Sequence, residues 1–142
     1  MSNARRFLSL TPAERRRLLR AFLIVAGVRL GLWMISFPRF QRVLGRFNAS
    51  SGSKRRAALT TIAELAREVR IVSNYVPHAT CLTQALAGQV LLARYGYPAV
   101  VHVGVAKPET DIKPFQSHAW LESDGQVIIG TSEQPHVALV TF

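Results

Sequence analysis

Cysteine occurs once in the 142 residues, at Cys81. A single thiol cannot close an internal disulfide or supply a CxxC zinc site, so a disulfide-stapled secreted scaffold and a zinc ribbon are excluded. A reducing, cytoplasmic setting is the expectation. Phosphate-binding loops are missing as well: neither GxxxxGK[ST] nor GxGxxG occurs, and no cofactor is expected. The four histidines, His78, His102, His118 and His136, make no HExxH or similar ligand spacing, which argues against a metal. No internal repeat is visible.

A long unbroken apolar run is also lacking. The nearest approach, residues 21–37, is divided by Arg29 into "AFLIVAGV" and "LGLWMISF". A central arginine costs roughly 2.5–3.5 kcal/mol on insertion scales, and the run is shorter than the ~20 residues a span needs. A signal peptide fits poorly, because the basic part begins far into the chain and no small-residue cleavage site follows. A buried or partner-facing helix is the first expectation, with contact at a membrane surface as the second.

Negative charge is scarce and unevenly spread. Eighteen Lys and Arg stand against eight Asp and Glu. Residues 1–78 carry a net +12 and residues 79–142 a net −2. A basic surface attracts nucleic acid, anionic lipid or acidic protein, but here it belongs to a different segment from the candidate chemistry. It reads as a docking surface, with nucleic acid not expected as the partner.

What is present suits one domain with a real core: 49% of residues are apolar, in a chain long enough to bury them. Thr11, Pro12 and Glu14 make a helix start of the capping-box type. "NASSGSK" at 48–54 reads as a linker. It divides a basic, apolar-cored helical lead-in, residues 1–50, from a core of residues 51–142. From Arg55 to about Tyr75, Leu59, Ile62, Leu65, Ala66 and Val69 fall on one helical face. Thr80 then caps a third helix carrying Leu82, Ala85, Leu86, Gln89, Val90 and Ala93 at helical spacing. After Gly96 the period changes to that of strands, in "PAVVHVGVA", "PFQSHAWLE" and "QVIIGTS", with "SDG" as a turn and "ALVTF" as an edge strand. Helices first and strands last make an α+β fold, with an antiparallel sheet in the C-terminal third.

Cys81 opens that last helix, where its sulfur faces the positive end of the helix dipole. This favours a thiolate if a base lies close by. The residues alone leave a second reading open, because a free cysteine also behaves as a small core hydrophobe. His118, on the "SHAW" strand, is the candidate imidazole, since such a pair is assembled by the fold rather than by adjacency in sequence.

Together, "CLTQALAGQVLLARYGYPAVVHVGV", "FQSHAWLE" and "DGQVIIG" resemble the leader peptidase of lasso-peptide biosynthesis, a small transglutaminase-like cysteine protease. The resemblance covers at least residues 81–130. "LSLTPAERRRLLRAFLIVAGVRL" is similar to the helical lead-in of the stand-alone form. The resemblance implies a papain-like nucleophile helix packed on the antiparallel sheet, with the thiol at Cys81 and the imidazole at His118. It implies proteolysis of a ribosomal precursor between leader and core. The implied partners are a small leader-recognition protein that presents the substrate and a macrolactam cyclase that takes the product.

The sequence departs from that family at the third catalytic group. Similar proteases carry an aspartate on the strand after the histidine, and the matching position here is Gly130. If Asp124 and Gly125 form a two-residue hairpin, Thr131 faces His118 and Glu133 lies diagonally on the same face, which makes Glu133 the candidate orienting acid; with a three-residue turn Gly130 itself faces His118. A backbone carbonyl or water is the alternative. Glu122 shares the face of His118 but lies four residues away, roughly 13 Å along the strand. Two other functions remain open on these residues: acyl transfer by the same Cys/His pair, and a non-catalytic basic adaptor.

Overall fold

The computed structural model describes residue 5 and residues 8–51, 61–106, 117–130 and 136–141. Helix α1 (Pro12–Met34) starts as the sequence predicts. The Thr11 hydroxyl accepts the Glu14 N–H at 3.3 Å, and the Glu14 carboxylate accepts the Thr11 N–H at 2.8 Å. Those bonds satisfy donors that a helix start otherwise leaves without partners. The helix ends at Ile35, which turns extended while its N–H still reaches the Gly31 carbonyl.

Helix α2 (Phe37–Ser51) follows at once. The Ser/Gly stretch expected as a linker is thus helical as far as Ser51, and residues 52–60 lie outside the described residues. Helix α3 (Ile62–Ser73) corrects a second expectation, that of a helix from Arg55. Thr61 is extended, and with Glu64 it makes another capping box, so the helix begins at Ile62. Leu65, Ala66 and Val69 are buried as the apolar period requires, while Leu59 lies outside the described residues. Helix α4 (Cys81–Arg94) then carries the cysteine as its first residue.

Four strands form one antiparallel sheet: β1 (Val100–Ala106), β2 (Ser117–Ser123), β3 (Gln126–Ile129) and β4 (His136–Thr141), in the order β3-β2-β1-β4. The β2–β3 connection is a two-residue turn in which Asp124 and Gly125 both take positive φ, 51° and 77°. This is the turn geometry whose twist matches antiparallel strands. Ser123 pairs with Gln126 and Glu122 with Val127, but a bulge then puts Ile129 opposite Leu121.

Helices and sheet share one core. Ala21, Val25 and Val28 of α1 join Leu65 and Val69 of α3, Ala85, Leu86 and Leu92 of α4, and Val101, Ala119, Leu121 and Ile129 of the sheet. The basic lead-in is therefore packed into the same core as the helix that bears Cys81. Helix α4 lies close on the sheet because position 88 has no side chain. A Cβ there would fall 2.6 Å from Ile129 Cδ1 and 2.7 Å from Leu121 Cδ2, well inside the contact distance of carbon atoms.

Candidate active site

The turn into α4 is fixed by local bonds. The Ala79 N–H meets the Val76 carbonyl at 3.3 Å, and His78 takes a positive φ of 58°. Thr80 is extended, and its hydroxyl accepts the Thr83 N–H at 3.3 Å and lies 3.1 Å from the Thr83 hydroxyl. The Gln84 N–H reaches the Thr80 carbonyl at 3.0 Å. Thr83 is wholly buried, so the cap is clamped between core and helix. Cys81 follows as a free, half-buried thiol packed against the hydrophobic core. At a helix start, the N–H groups of the first turn have no acceptor within the helix and point along its axis.

His118 is the second residue of β2 and is half-buried. Its Nε2 lies 2.6 Å from the carbonyl oxygen of Gly130. A carbonyl only accepts, so Nε2 carries the proton, and in the neutral ring Nδ1 holds the lone pair. Gly130 itself has φ +83°, and a Cβ on it would fall 2.6 Å from the Ala119 carbonyl oxygen. A glycine fits there because both the dihedral and the space exclude a side chain.

Alternation along β2 puts Ala119 and Leu121 on the face against α4 and His118, Trp120 and Glu122 on the other. On that second face the Trp120 ring lies between two imidazoles. His118 is 6.3 Å away at an interplanar angle of 18°, and His102 of β1 is 5.3 Å away at 23°. His102 is held in turn by Glu122, with Nε2 and Oε2 3.3 Å apart, and by the Thr141 hydroxyl, 2.9 Å from Nδ1. Gly104, which has no side chain, pairs with His118 across β1 and β2.

Cys81 stands at the start of α4 and His118 near the start of β2, with the His118 side chain on the sheet face away from α4. Gly88 of α4 sits against Leu121. The segment after α4 runs beside the last residues of β2: Gln89 donates to the Ala99 carbonyl at 3.2 Å, and Ser123 donates to the Pro98 carbonyl at 2.6 Å. Helix and strand therefore run in the same sense. Cys81 lies about 10 Å back from Gly88 along the helix, and His118 lies about 10 Å back from Leu121 along the strand.

Glu133 lies outside the described residues, as does Thr131. The bulge at Leu121/Glu122 displaces the register from which Glu133 was placed, since the hairpin count holds only for the two pairs nearest the turn. The Gly130 carbonyl is the group that the structure places on His118 Nε2. Sequence reasoning marked Gly130 as the site of a missing aspartate and named a carbonyl only in general terms. The ties of His102 to Glu122 and Thr141 were not foreseen, although His102 falls on a β-branched run and Glu122 on an alternating one. Among the described residues, no group of three or more His, Cys, Asp or Glu is arranged to hold a metal ion.

A helix opening on a cysteine, packed on an antiparallel sheet with a histidine on its second strand, is the arrangement expected of a thiol-dependent acyl-transfer fold. The Transglutaminase-like superfamily model matches residues 22–140, from within α1 to the end of β4, and the chain belongs to that superfamily. The superfamily includes cysteine proteases and acyltransferases. Searches of curated proteins and of solved structures returned no match.

Proposed function

We propose that the protein is a cysteine endopeptidase that removes the leader from a ribosomally made lasso-peptide precursor, with Cys81 as nucleophile and His118 as its base. The observation that carries this reading is the 2.6 Å bond from His118 Nε2 to the Gly130 carbonyl. It fixes the tautomer in which Nδ1 is the basic nitrogen.

In this reading Nδ1 takes the thiol proton and the sulfur attacks the scissile carbonyl. The backbone N–H at the start of α4 stabilises the oxyanion that forms. The imidazolium gives its proton to the departing amine of the core, leaving the leader as a thioester on Cys81. A water then loses a proton to Nδ1 and attacks the thioester. The carboxylic acid is released and the thiol restored. The Gly130 carbonyl takes the place of the aspartate of similar proteases: it holds the ring plane but adds no negative charge beside the imidazolium. A leader-recognition protein presents the precursor, and a macrolactam cyclase uses the released core.

The test is incubation of the purified protein with the precursor peptide encoded beside it, with and without the recognition protein, followed by mass spectrometry. Two fragments whose masses sum to the precursor plus one water are expected. An intact precursor joined to an amine or thiol acceptor would establish acyl transfer instead. Cleavage that survives alkylation of Cys81 would overturn the assignment of the nucleophile.

A further inference from the structure

Helix α1 is apolar on two opposite sides. Ala21, Val25 and Val28 are buried in the core, while Leu19, Leu23, Leu30, Trp33 and Met34 are exposed, Trp33 at 76% and Met34 at 69%. With 3.6 residues per turn, these five fall within an arc of roughly 100°, and Phe22, also exposed, widens it to about 120°. Arg20 and Arg29 border that arc on opposite sides, and Arg16 stands at its N-terminal end. On α2, Arg39, Arg42 and Arg46 are exposed at positions i, i+3 and i+7, one helical face. Across residues 8–51 the single acidic residue is Glu14, and its carboxylate is engaged at the Thr11 cap.

From this arrangement we infer that the outer face of α1 is a docking surface for an anionic lipid bilayer, with the helix lying flat in the headgroup region. This inference is independent of the peptidase reading. Two features favour lipid over a partner helix. Both borders of the stripe carry the same sign of charge, so the complementary surface is uniformly negative. An exposed tryptophan at the side of an apolar stripe is the side chain that settles at a membrane interface. No helix of the described residues is long and apolar enough to cross a membrane, in keeping with a flat orientation.

Cosedimentation of the full chain with vesicles tests this. Wild-type protein should bind vesicles of phosphatidylcholine with phosphatidylglycerol, and bind them less as salt rises. It should ignore phosphatidylcholine alone. The exposed double variants Leu23→Ser/Leu30→Ser and Arg16→Glu/Arg20→Glu should each lower the partition coefficient by ~10-fold or more. Brominated lipid should quench the fluorescence of wild-type protein, and Trp33→Phe should abolish that quenching. No binding to phosphatidylglycerol vesicles at low salt would overturn the inference, as would double variants that bind like wild type. So would a wild-type dimer that Leu23→Ser/Leu30→Ser splits, since the face would then be an interface between two copies.

Discussion

The imidazole of His118 is anchored through Nε2 to the backbone of Gly130, 2.6 Å away, and the Gly130 carbonyl can be there only because its residue has no side chain. The absent aspartate and the glycine are therefore parts of one arrangement. Placing an acid at position 130 would disturb the group that already holds the ring.

Gly130→Ala and Gly130→Asp should both impair the protein. A non-glycine residue at this positive φ costs ~1–3 kcal/mol, and its Cβ meets the Ala119 carbonyl oxygen. Urea denaturation should show that loss, and leader cleavage should fall further than the fold does, because the imidazole loses its anchor. A Gly130→Asp protein with wild-type stability and activity would refute the arrangement.

Cys81→Ala and Cys81→Ser should lower cleavage by roughly 10³-fold or more. The thiol is half-buried at a helix start whose cap is made by Thr80, so the thermal midpoint should stay close to wild type. Circular dichroism and single-turnover assays on the same preparations separate the two effects.

His118→Ala should be nearly inactive, whereas Glu133→Gln should stay within a few-fold of wild type, because the Gly130 carbonyl already orients the imidazole. A folded Glu133→Gln protein that has lost most of its kcat would return the orienting role to Glu133.

Gly88→Val should destabilise by ~1–3 kcal/mol through overpacking. Its new carbons would drive Ile129 and Leu121 away from α4, prising the helix off the strand next to the site. The denaturant midpoint should fall, and the rate of leader cleavage should drop with it.

Glu68 of α3 is buried against Arg17 of α1, with Nε and Oε1 3.3 Å apart. Burial raises its pKa above the ordinary 4.5, more than Arg17 lowers it, and Glu64 adds to the rise. A carboxyl whose folded value is raised contributes stability that is fully present below the unfolded value and is lost as pH rises through the folded one. Glu68→Gln should therefore gain stability relative to wild type on going from pH 4 to pH 7. Paired urea titrations at the two pH values check the sign.

Much of the fold was legible because short-range chemistry dictated it. Thr11 with Glu14, and Thr80 before the apolar run of α4, name their helix starts outright, and Asp124-Gly125 names its turn. Thr61 and Glu64 made the same statement, but the apolar period reaching back to Leu59 masked it. Cys81 and His118 were legible as residue types in a familiar setting. The bulge at Leu121/Glu122 was not, because a one-residue slip depends on how β3 packs under α4 and leaves no local mark. The Gly130 carbonyl was hidden for a simpler reason: a sequence records side chains, and this orienting group is backbone.

In the order β3-β2-β1-β4, the second edge of the central strand β1 is covered by β4. Undocking of β4 would break the bond between His102 and Thr141 and open that edge of β1 to any extended peptide, a second copy of this chain included. The sheet that carries His118 thus has a removable border, and its loss would turn β1 into a template for strand addition.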